Sequence, residues 1–224
     1  GSLARKLAHE IKNPLTPIQL TIDRLKNKYS SQLNENDNEN FKENLKIINN
    51  QIKQIEKLVN EFSDFARMPK PIFQKNDLAE LIMENIKLLQ ELDISINIKF
   101  ESNLPIINLE SDKEQLSRVF LNLIKNSIES IQQKVQNDSN TNKKIDIELN
   151  DHDDHINLTI IDTGIGFENL KSNIKDILNP YFTTKKNGTG LGLSIVNKII
   201  NDHNGNIEFI PINDGAKIKI IFKK

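Results

Sequence analysis

No cysteine occurs anywhere in this chain of 224 residues. That excludes disulfide staples, thiolate zinc sites and cysteine nucleophiles. Charge of one sign is also missing, since the formal net charge is −1. With no basic excess to neutralise phosphates, a general nucleic-acid binder is not expected. No apolar run approaches the ~18 residues that a membrane-spanning helix needs. The length allows one large domain or two small ones. Gly1 and Ser2 stand directly before a helix already under way, which reads as a scar on an excised fragment.

What is present begins with RKLAHEIKNPLTPIQLTIDRL, residues 5–25. Apolar residues fall at Leu3, Leu7, Ile11, Leu15, Ile18, Ile22 and Leu25, the three-and-four spacing of an amphipathic helix. This stripe is expected to be buried. His9 lies almost opposite it, with Asn13 one turn further along the same outer face. Pro14 and Pro17 fall inside the pattern, and an interior proline costs about 3 kcal/mol. A bend there would change how the outer face of the next turn is presented. By itself, a surface histidine on a kinked helix explains these features.

The helix is predicted to end near Tyr29, with the polar stretch 30–40 forming the turn of a helical hairpin. Phe41, Leu45, Ile48, Ile52, Ile55, Val59, Phe62 and Ala66 then repeat by four and three, a heptad seam on a second helix. Two such helices bury little alone, so two hairpins from two chains are expected to form a dimeric four-helix bundle. MPKPIFQK, residues 68–75, breaks the pattern with two prolines and marks a domain boundary.

Beyond it the period alternates. The pattern predicts helices over 77–92, from Asp112 to about Val135, and over about 192–202. It predicts strands over 94–100, 145–149, 156–161, 206–211 and 216–222. Asp112 with Gln115 three residues on has the form of a capping box. Helices mixed with strands, the last two a hairpin, make this region a mixed sheet covered by helices on one face, and the chain as a whole α+β. The DHDDH run at 151–155 offers metal-ligating side chains, but it falls in a hairpin turn and reads better as a solvated loop.

Three segments in this second region carry chemistry. NLIKN places Asn122 and Asn126 one turn apart on one helix face; in so asparagine-rich a chain a polar surface pair is the plain alternative. IIDTGIGF ends a strand in Asp162, after which Gly164 and Gly166 allow close backbone approach to a ligand. In NPYFTTKKNGTGLGLSIV a glycine-rich run opens a helix, where backbone N–H groups favour phosphate. Each is weak alone.

Their order is not. A His-Glu helix, Asn-x-x-x-Asn, DxGxG, PYFTTK and GTGLGL follow one another as in a sensor histidine kinase, and the resemblance covers nearly the whole chain. Residues 1–67 resemble the dimerisation and phosphoacceptor domain, 68–75 a linker, and 76–224 the ATP-binding α/β sandwich. HEIKNPLTPIQL with NEFSDFARMPKP (60–71) is similar to the NtrY-type sensors of nitrogen regulation. Those pair with a response regulator of the NtrX type.

The resemblance implies ATP and Mg²⁺ as cofactors, a homodimer, and a receiver domain as partner. His9 would accept the γ-phosphate and Glu10 would serve as its partner and general base. Asn13 would orient water during dephosphorylation of the regulator. Asp162 matches the acceptor of the adenine amino group, followed by Gly164, Ile165 and Gly166. Asn126 matches the Mg²⁺ ligand, and Asn122 the phosphate side. Gly188, Thr189, Gly190, Leu191 and Gly192 match the phosphate loop. Residues 167–187 match the mobile lid, with Phe182 its apolar anchor and Lys185 beside the phosphates. Phe167 stands where the family often has proline, and the lid is short and lysine-rich. The resemblance further implies a parent anchored in the bacterial inner membrane, this fragment being its cytoplasmic part without direct membrane contact.

Two rivals remain. Gyrase, MutL and the heat-shock chaperones of this superfamily hydrolyse ATP with a glutamate four residues before the metal-binding asparagine; here that position is Asn122. A non-catalytic nucleotide-binding scaffold is the other.

Overall fold

A computed structural model of the chain describes residues 2–167, 174–179 and 190–224. The chain divides into two compact units, one holding Gly1–Pro69 and the other Lys70–Phe182 with Gly192–Lys224.

The first unit is a hairpin of α1 (Ser2–Tyr29) and α2 (Glu35–Ala66). Helix α1 runs unbroken through Pro14 and Pro17. Proline lacks the N–H that would reach four residues back, so the helix supplies no donor from these positions to the carbonyls of Glu10 and Asn13. One turn on, the Thr21 hydroxyl bonds to the carbonyl of Pro17 at 2.8 Å. The turn is shorter than the polar composition of 30–40 predicts, because Asn34 caps α2. Its side chain accepts the N–H of Asp37 at 2.9 Å and donates to the Asp37 carboxylate at 2.7 Å. Such a reciprocal cap stabilises a helix by about 1 kcal/mol, enough to start it at Glu35.

The seam corrects the expected burial. Leu15 and Ile22 of α1 form one buried cluster with Leu45 and Ile52 of α2, and Phe41 packs against it. The alternate heptad positions are not covered: Leu7, Ile11, Ile18 and Leu25 on α1 and Ile48 and Ile55 on α2 are exposed, Ile18 at 45% and Ile48 at 44%. A pair of helices meets along one line of each heptad; the second line needs further helices.

The second unit carries a five-stranded sheet. Its strands are β2 (Asn97–Ser102), β4 (Lys144–Asp151), β5 (His155–Asp162), β6 (Gly205–Pro211) and β7 (Ala216–Lys223). They lie in the order β2-β4-β5-β7-β6, with β2 and β4 parallel and the other neighbours antiparallel. Helices α3 (Leu78–Gln90), α4 (Lys113–Asn137) and α5 (Gly192–Asp202) cover it. Alternation supplies the core: Ile145, Ile147 and Leu149 of β4 are buried, as are Leu123 and Ile124 of α4. The expected mixed sheet with helices is what forms.

Two elements escape the pattern. Gln74–Asp77 (β1) and Asn108–Ser111 (β3) make a separate antiparallel pair. The alternating run expected to be a strand from Ile94 begins only at Asn97, where the parallel register with Lys144 starts. Asp93 accepts the N–H and hydroxyl of Ser95 and folds the preceding residues into a turn, leaving Ile94 86% exposed. Asp112 caps α4 as expected, accepting the N–H of Gln115 at 3.0 Å, and its other carboxylate oxygen takes the N–H of Ile72 at 2.9 Å.

Candidate functional site

Along α4, Asn122, Asn126, Ser130 and Lys134 recur every four residues, so one helix face is a polar line. Asn122 is half-buried and its amide donates to the carbonyl of Arg118 at 2.8 Å. Its Oδ1 lies only 3.1 Å from where a Cβ on Gly192 would stand, so the bare start of α5 comes up against this amide. Asn126, one turn on, is also half-buried.

The strand periodicity of β5 delivers the acid. Ile156, Leu158 and Ile160 face the core, and Asp162 continues their line, only 3% exposed. Its Oδ2 accepts the Ser127 hydroxyl at 2.8 Å and its Oδ1 the N–H of Gly164 at 2.9 Å. Burial raises its pKa above the ordinary carboxylate value; the N–H of Gly164, the Ser127 hydroxyl, a backbone donor of Ala216 and the Lys134 ammonium pull the other way. The result is an inward acid whose burial is partly offset by these donors.

The turn after Asp162 lies tightly on α4. The Ser130 hydroxyl accepts the N–H of Ile165 at 3.0 Å, and a Cβ on Gly164 would overlap that hydroxyl. Lys134 donates to the carbonyl of Thr163 at 3.1 Å and pairs with Asp214. Gly166 and Gly190 both adopt positive φ, 67° and 70°. Gly215, at φ 109°, sits where any Cβ would strike the Asp162 carbonyl. Leu191 immediately precedes α5 and Gly192 opens it. Phe167 meets Phe209 edge-on, with ring centroids 5.7 Å apart. Phe182, Lys185, Gly188 and Thr189 lie outside the described residues.

On α1 of the other unit, His9, Glu10 and Asn13 are all exposed. Among the described residues no group of three or more histidines and acids is placed to hold a metal ion. The DHDDH turn instead stacks His152 on His155, centroids 4.6 Å apart, with His155 bonded to Asp154 at 2.6 Å.

Sequence reasoning missed Ser127, Ser130, Lys134 and Gly215. The four-residue spacing from Asn122 through Lys134 was a visible signal for two of them. Ser127 and Gly215 act across pairings that no local pattern encodes.

The chain resembles known proteins along its whole length. Residues 111–224 match the histidine kinase-, DNA gyrase B- and HSP90-like ATPase domain, and residues 1–71 the His Kinase A (phospho-acceptor) domain. The chain therefore belongs to the family of histidine kinase-, gyrase B- and HSP90-like ATPases, in the branch of sensor histidine kinases that joins this domain to a phosphoacceptor hairpin. It is 38% identical to nitrogen regulation protein NtrY of Azorhizobium caulinodans across all of this chain, but 28% of that protein. It is 37% identical to a putative NtrY-like sensor histidine kinase of Rickettsia felis over 99% of this chain and 36% of that one. The chain thus spans about a third of these relatives. Among solved structures, histidine kinase ThkA in complex with response regulator protein TrrA matches all of this chain and 61% of that one, at TM-score 0.67 and 29% identity. The isolated ThkA catalytic domain matches 68% of this chain and 96% of that one, at TM-score 0.56 and 29% identity.

Proposed function

We propose that this chain transfers the γ-phosphate of ATP to His9 and passes it on to an aspartate of a response regulator. The observation that carries the reading is an exposed His9-Glu10 pair on a helical hairpin, joined in one chain to a nucleotide-type site with an amide at position 122. A neutral imidazole nitrogen of His9 attacks the γ-phosphorus, forming an N–P bond as the bond to the ADP oxygen breaks. Glu10 accepts the proton from the other ring nitrogen. The regulator's aspartate then takes the phosphoryl group, and the N–P bond breaks. With Asn122 where related ATPases carry a glutamate base, nothing at that position activates water, so ATP persists until His9 meets it.

Asp162 accepts the adenine amino group, with Gly164, Ile165 and Gly166 shaping the approach. Asn122 and the segment Gly188–Gly192 serve the phosphates, with Phe182 and Lys185 in the lid. Asn126 offers a hard carbonyl oxygen on the polar face of α4, a donor of the kind Mg²⁺ takes alongside phosphate oxygens and water. That ion would neutralise charge on the phosphates. Residues 1–67, 68–75 and 76–224 act as phosphoacceptor domain, linker and catalytic domain.

The uncovered heptad line supports pairing with a second copy. The NtrY relatives support an NtrX-type regulator and a membrane-anchored parent, and the Asn13 position supports phosphatase activity toward that regulator. Incubation with γ-labelled ATP tests the core of this reading. Acid-labile, alkali-stable label on the chain, absent in His9→Gln, is expected; free phosphate without labelled chain would favour an ATPase, and neither product a scaffold.

A further inference from the structure

Serine is a poor choice for the interior of a helix, where its hydroxyl competes for backbone groups. Ser127 nevertheless sits in the middle of α4, 2% exposed, and its hydroxyl is given to Oδ2 of Asp162 at 2.8 Å. Alanine would fill the site with better helix propensity. The residue's use therefore lies in the bond it makes across to β5.

The bond matters because of how the carboxylate is occupied. An ionised carboxylate has about four lone-pair sites. The Ser127 hydroxyl occupies one on Oδ2 and the Gly164 N–H one on Oδ1. What is left faces a ligand in a direction set by these bonds. The Gly164 N–H acts from the turn that follows the acid on its own chain segment; the Ser127 hydroxyl bonds to it from α4, the helix that also carries Asn122 and Asn126.

We propose that Ser127 is a positioning residue for nucleobase specificity, orienting the Asp162 carboxylate so that a remaining lone pair selects a 6-amino purine over a 6-oxo purine. The inference rests on the reading of Asp162 as the adenine acceptor. A purine with an amino group at C6 donates a hydrogen bond to that lone pair. One with an oxygen at C6 brings an acceptor against an acceptor, gains nothing from the carboxylate's orientation, and so loses nothing when the orientation is lost. Because the Ser127 hydroxyl is spent on Asp162 and not on the groups assigned to the phosphates, phosphoryl transfer from bound nucleotide is unaffected.

The test measures MgATP and MgITP affinity by calorimetry, and autophosphorylation at saturating ATP, on the whole chain. Ser127→Ala should weaken ATP about tenfold, the scale of one hydrogen bond to a charged group. ITP affinity and the saturating rate should stay within twofold. Ser127→Cys fills the volume but donates weakly, so it should show the same loss; recovery by Cys would mean that Ser127 only fills space and would overturn the proposal. Equal losses for ATP and ITP, or no loss for either, would overturn it too. Asp162→Asn run alongside separates the two levels. If that variant loses ATP affinity while Ser127→Ala does not, only the role of Ser127 fails. If Asp162→Asn leaves ATP affinity unchanged, the adenine assignment fails and the inference with it.

Discussion

His203, buried at the end of α5, accepts the backbone N–H of Asp112 on its Nε2 at 3.0 Å, while its Nδ1 faces the carbonyl of Ile199 at 2.8 Å. This assigns the tautomer, with the proton on Nδ1. The imidazole also meets Phe73 edge-on at 5.2 Å. It ties the start of α4, the end of α5 and the chain leading into β1 at one point. His203→Ala would strand the half-buried Asp112 N–H, worth about 1–3 kcal/mol, and leave a cavity against Phe73, while the Ile199 carbonyl keeps the backbone N–H of residue 203. We expect the second unit to lose roughly 2–4 kcal/mol in urea unfolding. A loss below half a kcal/mol would show the tie to be dispensable.

His9→Gln should abolish autophosphorylation and leave ATP affinity within threefold of the parent, since His9 lies on the hairpin and Asn122, Asn126 and Asp162 on the other unit. A tenfold loss of affinity, about 1.4 kcal/mol, would contradict this division of labour. Asn126→Ala should remove Mg²⁺-dependent labelling; full activity would sink its role.

Asp162 gives a pH signature. Burial raises its folded pKa above the ordinary carboxylate value. Between the unfolded and folded values the native state holds a proton that the unfolded chain has released. The group's contribution to stability is therefore greatest in acid and declines as pH rises through that window. Asn does not titrate, so the stability of Asp162→Asn relative to the parent should improve as pH climbs from about 3.5, then level off. Paired urea titrations showing a flat or opposite trend would exclude the buried charge as the cause.

The exposed heptad line predicts association. Ile18→Glu and Ile48→Glu should each weaken self-association about a hundredfold by placing a charge in an apolar seam, while far-ultraviolet dichroism keeps its helical signal. Sedimentation that shows no change in either variant would place the dimer contact elsewhere or remove it.

Asn13→Ala should slow dephosphorylation of the phosphorylated regulator at least tenfold, with His9 labelling reduced no more than twofold. An uncharged amide can orient water without taking its proton, as a glutamine does in GTPases. Equal loss of both activities would indicate a disturbed helix instead.

The two heptad helices, the Asp112 cap and the alternating strands β4, β5 and β7 were legible in the sequence, because each depends on residues within a few positions of one another. The same locality made His9 and Asn13 outward-facing and put Asn122 and Asn126 on one face of α4. Which heptad line would be covered was not legible, since that depends on how many helices meet. Nor were β1 and β3, short polar strands whose ladder partners are each other, 31 to 37 positions apart in their register. Contacts between distant positions were likewise hidden: Ser127 reaches Asp162 across 35 positions, and Asp112 meets His203 across 91. Composition and period encode which way a side chain points; only the folded sheet, laid against α4, decided that a carboxylate facing inward would find a hydroxyl instead of a methyl group, a donor that offsets part of the cost of its burial.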